Sequence, residues 1–175
     1  MARAFISIGS NIDPETNVRN ALLRLARAVR VAAVSTVSRT EPVGPPGQPP
    51  FYNCVAEIET DAAPRDLKFV VLRRIESELG RTRSSDKFAA RTIDLDLILY
   101  DDLVMTTDDL TLPDPDIVRR PFLAIPLAEL APGLVLPGSG LQIKEVAASL
   151  TPNTMEPLET YTEHLRKELL HERKQ

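Results

Sequence analysis

The segment Arg91–Tyr100 has the pattern of a buried β-strand that carries two carboxylates, and it constrains the fold more than any other part of the chain. Side chains alternate along a strand, so one buried face is predicted from four apolar residues: Ile93, Leu95, Leu97 and Leu99. Asp94 and Asp96 then share the other face, about 6.6 Å apart at the usual rise per strand residue. The sequence therefore predicts a core strand with an acidic pair on one side.

The acidic pair has an electrostatic cost that a bound cation could offset. Two carboxylates at that separation repel each other by about 2.5 kcal/mol at an effective dielectric constant of about 20. A proton, a cationic side chain or a divalent metal could offset the repulsion, and a set of oxygen ligands alone favours Mg2+ or Ca2+ over zinc. The alternative interpretation is an exposed strand edge on which both aspartates are solvated.

Basic residues cluster around this strand in a chain whose formal net charge is -4. Four precede or begin the strand and two follow later in the sequence: Arg81, Arg83, Lys87 and Arg91, then Arg119 and Arg120. Cations placed around metal-binding carboxylates are the usual arrangement of a polyphosphate site. The cluster indicates a local anion site, although any one of these residues taken alone is better explained as a solvated surface charge.

Composition predicts one globular domain in the cytoplasm. The chain has 175 residues, of which 43% are hydrophobic and 26% charged, as in ordinary globular proteins. The single cysteine, Cys54, excludes an intramolecular disulfide, and no Cys/His zinc spacing occurs, because both histidines lie in the C-terminal tail. The N-terminus lacks the form of a signal peptide, and no segment is long and apolar enough to span a membrane. The acidic balance argues against nucleic acid as a partner, so neither nucleic acid nor membrane is expected.

Hydrophobic periodicity predicts the element order β-α-β-β-α-β. Strands are expected at residues 4–8, 31–39, 51–60 and 91–100. The first helix is expected to begin at Pro14 with Asp13 as its cap, and the second to run from Pro64 to Gly80. Residues 41–50 hold five prolines and predict a stiff loop. This order is the ferredoxin-like arrangement, an antiparallel sheet with two helices on one face.

Additions to this core are expected beyond residue 101. A short strand pair is predicted at residues 103–105 and 110–112, and helices at residues 121–130 and 143–150. We place one domain at residues 1–155 and a charged, amphipathic tail at residues 156–175. The tail is expected either to form a helix that packs on the body or on another subunit, or to be partly frayed. The predicted fold class is therefore α+β, with a ferredoxin-like core and C-terminal additions.

Several sequence blocks stand in a fixed order along the chain, at residues 4–11, 39–45, 48–53, 80–83 and 91–96, followed by Arg120 and Phe122. In this order they resemble 6-hydroxymethyl-7,8-dihydropterin pyrophosphokinase, an enzyme family of the folate pathway, over about residues 1–150. That family has a ferredoxin-like core, in agreement with the element order above. The resemblance implies transfer of the β,γ-diphosphate of ATP to the hydroxymethyl group of the pterin, with release of AMP.

The resemblance also implies roles for individual residues. Asp94 and Asp96 would hold two Mg2+ ions that bridge the ATP phosphates, Asp96 would assist loss of the hydroxyl proton, and Arg81 and Arg91 would complete the catalytic set. The implied ATP-binding set comprises Glu76, Arg81, Arg83, Arg91, Leu97, Thr111 and Arg120. The implied pterin-binding set comprises Thr40, Val43, Phe51, Asn53 and Phe122, with the two phenylalanines stacked on the ring.

Two departures from the family pattern leave alternatives open. Phe88 stands where the family often has Trp, and Asp114 stands where it often has a His that contacts the nucleotide. The Asp114 carboxylate would repel a polyanion unless Arg119, Arg120 or a metal pairs with it. One alternative is therefore a pterin- or nucleotide-binding module with reduced or lost catalysis. The other is a ferredoxin-like interaction or RNA-binding domain, which an aromatic content of 5% disfavours. For assembly, we expect a monomer or weak homodimer.

Overall fold

The computed structural model describes residues 1–44, 46–86, 88–152 and 154–172. Pro45 of the proline-rich loop, Lys87 of the basic cluster and residues 173–175 of the tail lie outside the described residues. In the part of the chain that is described, no helix combines the length and the apolar character needed to cross a membrane.

The described strands form two antiparallel sheets. In chain order they are β1 (Ala2–Ser10), β2 (Arg30–Val34), β3 (Ser38–Thr40), β4 (Phe51–Thr60), β5 (Asp94–Tyr100), β6 (Met105–Thr106), β7 (Thr111–Leu112) and β8 (Met155–Pro157). The larger sheet has the order β5-β1-β4-β3-β8, and β2 also pairs with β4. Its central part is the ferredoxin-like order predicted from the sequence. β6 and β7 form the second sheet.

The described helices cover both faces of the larger sheet. In chain order they are α1 (Pro14–Ala28), α2 (Pro64–Asp66), a π-helical segment (Leu67–Leu72), α3 (Arg73–Glu78), a 3-10 helix (Pro115–Val118), α4 (Pro121–Leu130), α5 (Ile143–Ser149) and α6 (Glu159–Glu172). α2, the π-helical segment and α3 follow one another without a gap, and together they are the second helix predicted from the sequence.

Two apolar cores hold these layers together. The first core lies between one face of the sheet and the helices α1, α3 and α6, and includes Ile6, Leu22, Ile58, Ile75 and Leu165. The second core lies between the other face and the helices α4 and α5, and includes Phe5, Val55, Leu127 and Val146. Since both faces of the sheet are covered, strands β1 and β4 carry apolar side chains on both sides.

A β-bulge in β5 changes the face that was predicted for Leu99. The pairing places Leu97 and Leu99 opposite consecutive residues of β1, so Ile98 is an extra residue. Leu95 and Leu97 lie in the first core as predicted, whereas Leu99 lies in the second core with Ile98. The prediction that Leu99 shares their face is wrong, because the extra residue interrupts the alternation.

The strand predicted over residues 31–39 is divided into β2 and β3. Ser35 still pairs with β4, but partly through its side chain: the Val55 N–H donates to Ser35 Oγ at 2.9 Å. The Thr36 N–H leaves the sheet and donates to Glu129 of α4 at 3.0 Å. Side chains thus replace part of the backbone ladder over residues 35–37, and one predicted strand becomes two.

The first helix begins at Pro14 as predicted, but Asp13 does not cap it with its side chain. Asp13 has a left-handed backbone conformation, with φ of 40°. A side-chain cap needs an extended backbone at this position. The prediction of a carboxylate cap at Asp13 is therefore wrong, although the helix boundary is correct.

The tail forms a helix on the body of the protein. Leu165 and Leu169 of α6 are buried in the first core. Arg19 of α1 forms an ion pair with Glu168 of α6. Of the alternatives for the tail, the helix packed on the body is confirmed for residues 159–172. The domain boundary at residue 155 stays a prediction.

Candidate active site

A cavity of about 380 Å³ opens where β1, β3, β4 and β5 meet loop residues and the start of α4. All five residues implied for pterin binding line it: Thr40, Val43, Phe51, Asn53 and Phe122. Four of the residues implied for metal or ATP binding also line it: Arg91, Asp94, Asp96 and Arg120. Residues from four strands, the connecting loops, the 3-10 helix and α4 thus meet at one surface.

The acidic pair faces this cavity from one side of β5, as predicted. Arg81 Nη1 lies 2.5 Å from Asp94 Oδ1, and Arg91 donates to the other carboxylate oxygen of Asp94. Within the described residues, no side-chain or backbone donor bonds the Asp96 carboxylate. Burial, followed by repulsion from Asp94, raises the pKa of the Asp96 carboxyl to about 7. A partner cation is therefore more favourable at Asp96 than at Asp94.

The ligands at this position fit Mg2+. Mg2+ keeps several waters and is usually bound by one or two carboxylates together with substrate phosphates. The described residues contain no cluster of three or more His, Cys, Asp or Glu that could enclose a metal ion. An acidic pair without a closed protein cage suits a cation that arrives with a polyphosphate.

Glu76 holds the arginine that reaches the acidic pair. It is 4% exposed on α3 and accepts a hydrogen bond from the Leu95 N–H at 2.9 Å. Its carboxylate also bonds the guanidinium of Arg81 and lies 3.3 Å from Arg83 Nη2. Burial raises the pKa of Glu76, and the bonds from Leu95 and Arg81 oppose that rise. Arg81 therefore bridges Glu76 and Asp94, behind the cavity wall that the two aspartates form.

Thr40 and Asn53 form a polar section of the cavity wall. Both are buried, and Asn53 Nδ2 donates to Thr40 Oγ1 at 2.6 Å. A Cβ atom at Gly9 would lie 2.6 Å from Asn53 Oδ1, so glycine is needed there for the amide to fit. The Asn53 side chain is therefore fixed from two sides, on the strands β1 and β3 that flank β4.

Phe88 brings the two loops of the site into contact. A Cβ atom at Gly44 would lie 2.5 Å from the Phe88 ring, and Gly44 has φ of 133°, which favours glycine. Val43 and Phe88 both line the cavity. The proline-rich loop and the loop before β5 thus meet at the cavity through an aromatic ring.

Asp114 lines the cavity and also caps the 3-10 helix. Its carboxylate accepts a hydrogen bond from the Asp116 N–H at 2.8 Å. Arg119 and Arg120 lie 3.9 Å and 4.0 Å from the Asp116 carboxylate. Burial raises the pKa of the Asp114 carboxyl. The arginines that could neutralise Asp114 therefore lie against Asp116.

Five residues implied for ATP binding lie outside the cavity lining: Glu76 and Arg81, which are described above, and Leu97, Thr111 and Arg83. Leu97 is 2% exposed in the first core, and Thr111 is part of β7. The Arg83 side chain is 61% exposed and reaches Glu76. Their contacts with ATP stay predictions, and so does any role of Lys87, which lies outside the described residues.

Lys68 was missed by sequence reasoning. It lies in the π-helical segment, and its positive charge acts on both Asp96 and Asp114, opposing the rise in their pKa. Its Nζ donates to the Asp109 carbonyl at 3.1 Å. No local signal singled it out, because a lysine on a charged helix is ordinary in sequence.

Together, the fold and the cavity define a ferredoxin-like α+β protein in which an acidic pair, arginines, phenylalanine rings and a buried polar wall line one cavity. The chain belongs to a known family of this kind. The family described as 7,8-dihydro-6-hydroxymethylpterin-pyrophosphokinase (HPPK) matches residues 5–132. The resemblance found in the sequence is thereby confirmed at the level of the family.

Curated relatives support the same assignment. A protein named 2-amino-4-hydroxy-6-hydroxymethyldihydropteridine pyrophosphokinase from Haemophilus influenzae is 39% identical over 142 residues, covering 79% of this chain and 88% of that protein. Its namesake from Bacillus subtilis is 42% identical over 130 residues, covering 73% of this chain and 77% of that protein.

Solved structures share the fold. Wild-type HPPK-DHPS of Plasmodium falciparum, crystallised with STZ-DHP, has a TM-score of 0.66 and 12% sequence identity to this chain. The similarity covers 85% of this chain but 43% of that one, so the chain spans less than half of the solved protein. At this identity, the likeness shows the fold alone.

Proposed function

We propose that this chain transfers the β,γ-diphosphate of ATP to the hydroxymethyl group of 6-hydroxymethyl-7,8-dihydropterin and releases AMP, in folate biosynthesis. The enzyme is a diphosphotransferase of the HPPK family. The observation that carries the proposal is the cavity in which the acidic pair of β5 and the polar wall of β3 and β4 meet. It places donors suited to the pterin beside carboxylates suited to a metal-bound phosphate.

The pterin is bound by the wall and by two aromatic rings. Thr40 and Asn53 offer hydroxyl and amide groups to the amide and amine edge of the ring. Phe51 and Phe122 stack on its faces, and Val43 contacts it from the proline-rich loop. Glycine at position 9 keeps the Asn53 amide in a fixed orientation.

The phosphates are bound by the acidic strand and the arginines. Asp94 and Asp96 would hold two Mg2+ ions, which would supply positive charge to offset the negative charge of the phosphates. Arg91 and Arg120 contact phosphate oxygens from the cavity wall, with Arg83 in support. Arg81 stays on Glu76 and keeps Asp94 in place.

The reaction needs positioning and charge neutralisation more than covalent help from the protein. The hydroxyl oxygen of the pterin attacks the β-phosphorus of ATP, the bond to the α-phosphate oxygen breaks, and AMP leaves. Asp96 would assist loss of the hydroxyl proton as a general base. Catalysis therefore depends on the same carboxylate that binds metal.

We also propose that the enzyme acts in the cytoplasm as a monomer or weak homodimer, without nucleic acid or membrane as a partner. The formal net charge of -4 supports this, since it disfavours binding to polyanionic surfaces. Both proposed substrates are small molecules, and the cavity is large enough for compact ligands.

The test is AMP formation from ATP and Mg2+, with and without the pterin, in wild type and in Asp94→Asn. We expect AMP only when the pterin is present, and none from the variant. Tight binding of both ligands to the wild type without AMP formation would favour the alternative, a binding module that has lost catalysis. AMP release that does not depend on the pterin would contradict the proposed acceptor.

A further inference from the structure

We propose that the C-terminal segment from β8 to α6 positions the pterin-facing wall of the cavity, and that Thr162 is the positioning residue through which it acts. The identity of the ligand rests on the proposed function. The contacts that hold the wall do not depend on it, because they join backbone and side chains within the protein.

Thr162 fixes the backbone just before β3. It is 1% exposed, and its hydroxyl accepts a hydrogen bond from the Val37 N–H at 2.9 Å and donates to the Leu158 carbonyl at 2.8 Å. The Leu158 N–H donates to the Val37 carbonyl at 2.8 Å. Both backbone polar groups of Val37 are therefore bonded to the C-terminal segment.

The same segment supplies the outer neighbour of β3. β3 has three residues, and it pairs with β4 on one side and with β8 on the other. In this register Thr40 lies opposite Phe51 of β4 and Met155 of β8. A strand this short has few bonds of its own, so its position depends on the neighbours on both sides.

The contacts that hold β3 in place also affect the cavity, because β3 ends at the cavity wall. Thr40 is its last residue, lines the cavity and accepts the hydrogen bond from Asn53 Nδ2 at 2.6 Å. A shift of β3 would break that bond or turn the Asn53 amide, which is fixed at its other end against Gly9. Small displacements of positioning groups can cost a large part of an enzyme's rate or affinity.

Contacts with β2, β4 and α4 hold α6 in place, so that it can position β3. Arg166 donates to the Val34 carbonyl at 2.8 Å from Nη2 and to Glu129 at 3.1 Å. Tyr161 packs edge-on against Tyr52, with ring centroids 5.8 Å apart. Tyr52 is the residue before Asn53 on β4, so the segment contacts the wall through β4 as well as through β3.

A purely stabilising role for Thr162 is the competing explanation. Removing a partner from a buried N–H destabilises any fold, whatever lies beyond it. The two explanations differ in kinetics. Loss of stability alone lowers the amount of active enzyme, whereas displacement of β3 raises the KM for the pterin and leaves the KM for ATP unchanged.

The test compares Thr162→Val, Thr162→Ser and Leu169→Ala. Valine keeps the shape but removes the hydroxyl, serine restores the hydroxyl, and Leu169→Ala removes apolar packing from the same helix about two turns beyond Thr162. We expect Thr162→Val to raise the pterin KM about fivefold, with little change in the ATP KM, as for a displaced binding group. We expect wild-type KM values for Thr162→Ser and Leu169→Ala.

Arg166→Met extends the test if Thr162→Val does not fold. The Arg166 side chain is 43% exposed, so its replacement spares the core while freeing the Val34 carbonyl. A smaller but selective rise in the pterin KM is expected. An unchanged pterin KM in the folded variants, or equal rises for pterin and ATP that Leu169→Ala reproduces, would overturn the inference. Wild-type activity, measured in parallel, tests the proposed function separately.

Discussion

Burial of the Asp96 carboxyl lowers the free energy of unfolding once the pH exceeds the pKa of an ordinary aspartate. Its pKa is near 3.8 in the unfolded chain and is raised to about 7 in the folded protein. Between these values the unfolded chain loses the proton while the folded protein keeps it. The cost is therefore absent below the lower value, grows as the pH rises, and is complete above the higher one.

Asp96→Asn should accordingly stabilise the metal-free protein while abolishing transfer. We expect a higher melting temperature at about pH 8 without Mg2+, by roughly 2–4 °C for each kcal/mol relieved, and no gain near pH 3.5. Asp102→Asn, at an exposed turn, is the control and should change neither property. A melting temperature at pH 8 equal to or below that of the wild type would contradict the raised pKa.

Asp114 combines a structural contact with a charge that opposes ATP. Asp114→Asn keeps a capping side chain and removes the charge, whereas Asp114→Ala removes both. We expect the asparagine variant to bind Mg-ATP more tightly at low salt, with a gain that shrinks as salt is raised. The alanine variant should lose about 1 kcal/mol of stability. Titration of Mg-ATP at two ionic strengths decides, and weaker binding by Asp114→Asn would mean that the carboxylate assists the nucleotide.

Replacement of Phe122 tests whether its ring stacks on the pterin. Phe122→Ala should weaken pterin binding by about 1–3 kcal/mol, the range for stacking of an aromatic side chain on a flat base. Binding of ATP should change far less. Because Phe122 also packs against the second core, the melting temperature is measured alongside calorimetry with each ligand. Equal losses for both ligands would identify it as a core residue.

Two loops meet through a contact that one substitution can remove. Gly44→Ala would place a Cβ atom 2.5 Å from the Phe88 ring, whereas Gly47 has φ of 101° and no atom within 4 Å of its Cβ position. Both changes strain the backbone, but Gly44→Ala alone displaces Phe88. We expect a raised pterin KM for Gly44→Ala and a near wild-type value for Gly47→Ala. Matching kinetics in the two variants would show that the loop contact does not shape the site.

Elements with strong local signals could be predicted from sequence, and those shaped by distant partners could not. β4 and α4 have the predicted bounds, because alternation and a proline at the first helical position are local signals. The bulge at Ile98 and the break after β2 depend on partners far along the chain, such as Val55 and Glu129 for residues 35–36. Local sequence patterns do not indicate those contacts.

The residues of the candidate site, like the secondary structure, could be predicted only in part, because some of them matter through contacts between distant parts of the chain. Nine of the residues that line the cavity were identified because ordered motifs mark a family, which local propensity alone would not have achieved. Lys68 and Thr162 were missed, since their importance comes from elements that the fold brings near the site. For the tail, the sequence pattern left a packed helix and a frayed segment open, and its ion pairs with α1 could not be predicted.

Product analysis of the complete reaction tests the central claim most directly. The purified chain is incubated with ATP, Mg2+ and 6-hydroxymethyl-7,8-dihydropterin, and nucleotide and pterin products are quantified by mass spectrometry. The account predicts AMP and a pterin carrying two added phosphoryl groups in equal amounts, with both absent when the pterin or Mg2+ is omitted. Formation of ADP with a singly phosphorylated pterin, or of AMP with an unchanged pterin, would contradict it.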